Sequence, residues 1–187
     1  MRHTGSMTLL QDAVEAAVRL PDVGETVAAI KGELSRAIRE GRVRLEQRFF
    51  ETQPDHYARR LLFANPELGY TAVVMTWGAG QRTAVHDHAG MWCVEGVVHG
   101  VMEVTQYDLE EQRDGLYRFR RAASARAEVG SAGSLIPPFE YHVLANPTQE
   151  TSITLHIYGG EMAQCHVYRP REDGWYGREF RRLSYDE

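Results

Sequence analysis

Two histidines one residue apart, His86 and His88, carry the first chemical signal in this sequence. On an extended strand that spacing sends both imidazoles to the same face. A third, His142, follows the Pro137-Pro138 turn and precedes Asn146. Neutral imidazole is the commonest ligand for transition metals, and three of them leave coordination positions open to a substrate. The spacing by itself also fits two partly exposed strand histidines. Other histidines have plainer readings: His3 in a terminal tail, His56 and His99 on the surface or behind the ligands, His166 at a pocket edge.

Elements must bring such residues together, and the chain divides into helices followed by strands. Leu10, Val14, Ala17 and Val18 recur at helical spacing and mark one apolar face, which Pro21 ends. Asp22 with Glu25 resembles a capping box for a second helix, whose stripe is Val27, Ile30, Leu34 and Ile38 and whose end is Gly41. A short third helix is predicted after Pro54, through Tyr57, Arg59 and Leu62, while residues 1–7 read as a tail. After Gly69 the pattern changes to short runs rich in Thr, Val and aromatics. Strands are predicted at 70–77, 94–107 with a break at Gly100, 116–120, 127–129, 134–136, 152–158 and 164–168, most bounded by Gly, Asn or Pro. Many short strands without alternating helices predict a mainly β protein. The expected architecture is a jelly-roll-like barrel behind an N-terminal helical segment. One domain is expected over residues 1–187, helical from about 8 to 65 and barrel from about 69 to 187.

Composition narrows the function classes. Hydrophobic residues are 43% and charged residues 25%, as in globular proteins. Lys plus Arg number 21 against 26 for Asp plus Glu, a net charge of −5 that argues against a nucleic-acid partner. No apolar run suits a membrane span, and Asp12 and Glu15 interrupt the only stretch that could form a signal-peptide core. Two cysteines, Cys93 and Cys165, are too few for a disulfide framework, so a reducing cytoplasm is expected. The expected partners are therefore small molecules, with a monomer or small homo-oligomer.

Longer motifs surround the histidines. Gly80, five residues, His86-x-His88, four residues, Cys93, six residues and Gly100 resemble the first cupin motif, with cysteine where a glutamate ligand is usual. Gly130, Pro137, His142 and Asn146 resemble the second, with Phe139 where a glycine is usual. Without that glutamate, three neutral histidines leave a divalent ion's charge uncompensated, which favours an anionic ligand such as a thiolate. Tyr57-Ala-Arg59, Trp77-Gly78, His86-Asp-His88 with Cys93, His142, Thr154-Leu-His156-Ile-Tyr158 and Cys165-His166 are all present. Over roughly residues 57–166 the chain thus resembles the cysteine dioxygenases and, more broadly, the bacterial thiol dioxygenases.

The resemblance implies a mononuclear non-haem Fe(II) held by His86, His88 and His142, and addition of both atoms of O2 to a small-molecule thiol to give a sulfinate. Arg59 matches the family arginine that binds the substrate carboxylate, a task suited to a planar fork that stays charged. Family members acting on 3-mercaptopropionate often carry glutamine there, so L-cysteine is the expected substrate. Arg60 follows immediately, which leaves the register between the two arginines open. Tyr57, Trp77 and Cys165, with Met91 and Trp92, are implied to surround the substrate. Thr154, His156 and Tyr158 share a strand face and match a hydrogen-bonded relay in which the histidine orients the phenol. Cys93 and Tyr158 match partners that some relatives join by a thioether. Two alternatives stay open: another thiol, such as 3-mercaptopropionate, mercaptosuccinate or a thiol heterocycle, or a cupin that binds without turnover.

Overall fold

Asp22 starts the second helix as its sequence predicts: its carboxylate accepts a hydrogen bond from the Glu25 amide at 2.9 Å. In this computed structural model, which describes residues 4–187, helix α1 spans Thr4–Ala17 and α2 spans Val23–Arg39. Residues 4–7, expected in the tail, thus belong to α1, while His3 lies outside the described residues. Gly41, with φ of 66°, turns the chain out of α2.

The third helix is not formed. A 3-10 turn at Gln47–Phe50 leads instead to strand β1, Ala58–Asn65, which pairs antiparallel with β2, Tyr70–Trp77. The reason lies in burial. Arg59 and Arg60 are both buried, and a strand can send them to opposite faces, where each finds its own acceptors. The helical segment therefore ends well before residue 65.

The remaining strands are β3 (Val85–His86), β4 (Cys93–His99), β5 (Val101–Arg113), β6 (Leu116–Glu128), β7 (Ala132–Leu135), β8 (His142–Ala145), β9 (Ser152–Tyr158), β10 (Gln164–Pro170) and β11 (Trp175–Arg182). They form a five-stranded sheet ordered β1-β2-β9-β4-β7 and a closed ring ordered β10-β11-β6-β5-β8-β3. The two pieces predicted at 116–120 and 127–129 are one strand, because β6 forms a long hairpin with β5. Asp114-Gly115 closes that hairpin with both residues at positive φ, the geometry of a two-residue turn matched to strand twist.

The five-stranded sheet is apolar on its outer face. There Tyr70, Ala72, Val74, Val94, Ile153, Leu155 and Ile157 join one core with Leu10, Val14, Val27, Ile30 and Leu34 of the helices. Gly96 permits the close approach, since a Cβ there would lie 2.9 Å from Ile38 and 3.0 Å from Leu34. The inner face of the sheet looks into the barrel and carries most of the sheet's own buried polar residues, among them Arg59, Glu95, Thr154 and His156.

Candidate metal centre

His86 ends β3 and pairs across the ladder with His142, the first residue of β8. His88 lies just beyond β3, and the three ring centroids are 4.6–5.1 Å apart. One ring nitrogen from each lies within 4.8 Å of the others. His86 Nδ1 lies 3.1 Å from the Ala84 carbonyl, which makes Nδ1 the donor and leaves Nε2 bare. That Nε2 faces His142 Nε2 at 3.2 Å. Two ring nitrogens so close require a cation or a shared proton between them. Burial first, and then the proximity of His88, brings His86 down to about 3, and burial first holds His142 well below its ordinary range. Both are therefore neutral and competent as ligands, so the donor set fits a divalent transition metal.

Two carboxylates hold this cluster from outside. Glu140 accepts from the His88 amide at 2.6 Å and lies 3.4 Å from His88 Nδ1. Asp87, between the two histidines, accepts from the Ala89 and His166 amides and the Tyr168 hydroxyl, and its Oδ2 lies 3.0 Å from His166 Nδ1. The loop is thereby tied to β10, and His166 serves this clamp rather than the pocket edge. These bonds fix the backbone of the loop that carries His86 and His88.

Strand β9 carries the second group. Trp77 Nε1 donates to Thr154 Oγ1 at 2.9 Å, and that hydroxyl lies 2.8 Å from His156 Nε2. The hydroxyl accepts from the indole and has its own proton free for Nε2, the arrangement in which the His156 proton sits on Nδ1. Nδ1 faces Glu95 Oε2 at 3.4 Å. The expected step from His156 to the Tyr158 phenol is not formed: the rings stack, with centroids 6.0 Å apart. The alternation that puts Thr154, His156 and Tyr158 on one face also lays the last two rings side by side, and His156 Nδ1 faces Glu95 on β4 rather than the phenol.

Tyr158 and Cys93 are register partners across β9 and β4, so their side chains share the inner face of the sheet. Burial pushes both groups well above their ordinary values, so both keep their protons.

A cleft of about 280 Å³ opens beside this cluster, lined on its inner part by His86, Tyr158, Arg59, Tyr57, Met162 and Cys165. Between the two arginines, Arg59 is the one that faces it. Its guanidinium donates to the Ser184 and Met162 carbonyls, each at 3.0 Å, while its buried Nε–H has no partner. Arg60 turns away and donates to the Glu51 carbonyl. Trp77 stands behind the wall, stacked on Tyr57 with centroids 4.4 Å apart. Met91 and Trp92 are not in the wall either; they close on Gly160 and Gly159, where a Cβ would collide with them. His99 packs edge-on against Phe50, and His56 reaches the cleft mouth.

Glu95 is the functional-site residue that sequence reasoning missed. It is buried, lies 3.6 Å from His142 Nδ1 as well as 3.4 Å from His156 Nδ1, and its Oε2 makes no hydrogen bond. Burial pushes it up to about 8. The available signal was its position two residues after Cys93 on a strand, hence on the same face.

A β-barrel with three converging imidazoles, backed by carboxylates and open to a cleft, defines a cupin-type metalloprotein. Residues 26–171 match the model of the family described as cysteine dioxygenase type I, and the chain belongs to that family. Solved structures it resembles include a conserved protein with a double-stranded β-helix domain from Klebsiella pneumoniae, at 16% identity over 63% of this chain and 88% of that one, TM-score 0.48. An RmlC-like cupin from Desulfovibrio desulfuricans matches at 17% identity over 64% of this chain and 97% of that one, TM-score 0.46. TT1209 from Thermus thermophilus matches at 17% identity over 62% and 94%, TM-score 0.45. Among the described residues no helix is long and apolar enough to cross a membrane.

Proposed function

We propose that this protein is an Fe(II)-dependent dioxygenase that converts the thiol of a small carboxylic acid to a sulfinate. The observation that carries the reading is one cleft that joins His86, the protonated Tyr158 and an arginine whose buried Nε–H lacks an acceptor. A buried donor left unpaired costs about 1–3 kcal/mol, which a bound carboxylate would relieve while forming a charge-assisted bond.

His86, His88 and His142 would hold the iron. Bound there, Fe(II) supplies the positions at which thiolate and dioxygen meet and the electrons that make dioxygen reactive toward sulfur. Arg59 fixes the carboxylate and so sets where the sulfur lies. Tyr158 keeps its proton and can donate to the oxidising sulfur group. Trp77 and Thr154 hold the His156 ring beside that phenol through a chain of hydrogen bonds, with Glu95 facing its other nitrogen, an investment a metal store has no use for. L-cysteine, 3-mercaptopropionate and mercaptosuccinate all carry the required thiol and carboxylate. A thiol heterocycle without an acid would leave Arg59 unmatched.

The test is oxygen uptake by anaerobically Fe(II)-loaded protein across that panel, with products identified by mass. Uptake coupled to a product carrying two added oxygens is expected. Stoichiometric thiol binding without uptake would replace this reading with a binding role.

A further inference from the structure

The cleft is unevenly charged. The chain as a whole is at −5, yet the cleft is lined by Arg59, Arg82, Arg169 and Arg181 against a single carboxylate, Asp55. Asp55 is already engaged with His56 at 2.7 Å, and Arg169 with Glu179 at 3.4 Å. Among the described residues, neither Arg82 nor Arg181 has an ion-pair partner.

Arg181 is aimed inward by the ladder. It pairs across β10 and β11 with Cys165, and residues directly opposite share a sheet face. Cys165 lines the cleft, so Arg181 extends over the same space. Burial raises the Cys165 thiol to about 11 and also raises the Tyr57 phenol, and the Arg181 charge opposes the rise at both. Two cationic levels result: the buried Arg59 inside, 6% exposed and with Nε–H unpartnered, and Arg181 with Arg82 at the mouth.

From this arrangement we infer that the preferred substrate is a thiol bearing two anionic groups, one received by Arg59 and the second by Arg181 and Arg82 at the mouth. The inference rests on the thiol-acid reading above only for the sulfur; the two anionic positions follow from the arginines. A monocarboxylate leaves the outer pair unused. An ammonium group in place of the second carboxylate would meet like charge there. The same uncompensated charge would steer dianions into the cleft, and salt would weaken the preference.

Calorimetric titration of the anaerobic Fe(II)-loaded protein tests this with pairs that differ by one carboxylate: mercaptosuccinate against 3-mercaptopropionate, and the sulfur-free succinate against propionate. Each dianion is expected to bind at least tenfold more tightly than its partner. Arg181→Met should erase most of that ratio while 3-mercaptopropionate affinity stays within about twofold. Arg178→Met removes the same charge from the same strand, at a side chain that lies over Tyr117, and should leave the ratio intact. Equal affinities within each pair, or a ratio indifferent to Arg181→Met, would overturn the inference. Thiol oxidation without a dianion preference would refute this inference and leave the dioxygenase reading standing; a dianion preference without thiol oxidation would do the reverse.

Discussion

The two sides of the five-stranded sheet are built on opposite terms. Toward the helices, Ile153, Leu155 and Ile157 of β9 enter a core of aliphatic and aromatic side chains. Toward the barrel, the alternate residues Thr154, His156 and Tyr158 of the same strand enter a space that holds Glu95, Cys93 and His142. One side is held by area removed from water, the other by hydrogen bonds and paired rings, where each unsatisfied atom is expensive. The comparison teaches why the helices are there. They let one side of β9 supply stability, so that the other side can carry buried titratable groups that would weaken a smaller barrel.

Removing a metal ligand should separate the two sides most sharply. His142→Ala is expected to abolish stoichiometric iron retention and with it thiol-dependent oxygen uptake, while far-UV circular dichroism stays native. Leu155→Ala should do the converse. Truncating a buried Leu costs about 2–5 kcal/mol, so the melting temperature should fall by several degrees while iron content per folded molecule holds. If His142→Ala lowered the melting temperature as far as Leu155→Ala, the division of labour would be wrong. A smaller effect is expected outside the ligands. Glu140→Gln weakens the acceptor behind His88 and should loosen metal binding by about tenfold or more, read by competition with a chelator.

How much of this was legible follows from how local each signal is. His86 and His88 are readable because ligand spacing is a property of a few consecutive residues, and Asp22 for the same reason. Strand β9 is readable because period-two alternation survives in 152–158. Strand β1 is not, because Ala58–Asn65 becomes a strand only by pairing with β2, and Pro54 ahead of it imitates a helix start. Strands β3 and β8 are too short to show a period at all. Glu95 shares a face with Cys93 by spacing, but its place beside His142 and His156, like that of Glu140 behind His88, depends on which residues meet across strands and loops. The Asp114-Gly115 turn was readable in principle, and its two positive φ values are what that dipeptide favours.

The smallest expected effect concerns the C-terminal segment beside Arg59, where the cleft meets the rest of the fold. Asp186 accepts from the Arg59 amide at 2.8 Å and lies 2.9 Å from His56 Nε2, and its own amide donates to the Arg59 carbonyl. Bonds to Asp186 and then Asp55 raise His56 above its ordinary value. Burial pushes Asp186 up, but the Arg59 amide and His56 outweigh it and bring it below its ordinary value. The signs then fix a window. The raised histidine contributes stability that is fully present below its unfolded pKa of about 6.5 and is lost as pH climbs through the higher folded value. The lowered aspartate contributes stability present above about 3.9 and lost as pH falls through its folded value. The pair is therefore strongest at pH 4–6.5. His56 is about half exposed, which keeps its contribution within the roughly 0.2–1 kcal/mol of solvent-screened pairs. The melting temperature of His56→Gln should lie slightly below that of the unmodified protein at pH 5.5, and the two curves should converge as pH rises past the folded histidine value. A gap that stays constant with pH would mean that His56 acts by shape alone, and that the segment holding Arg59 is fastened by its backbone pairing.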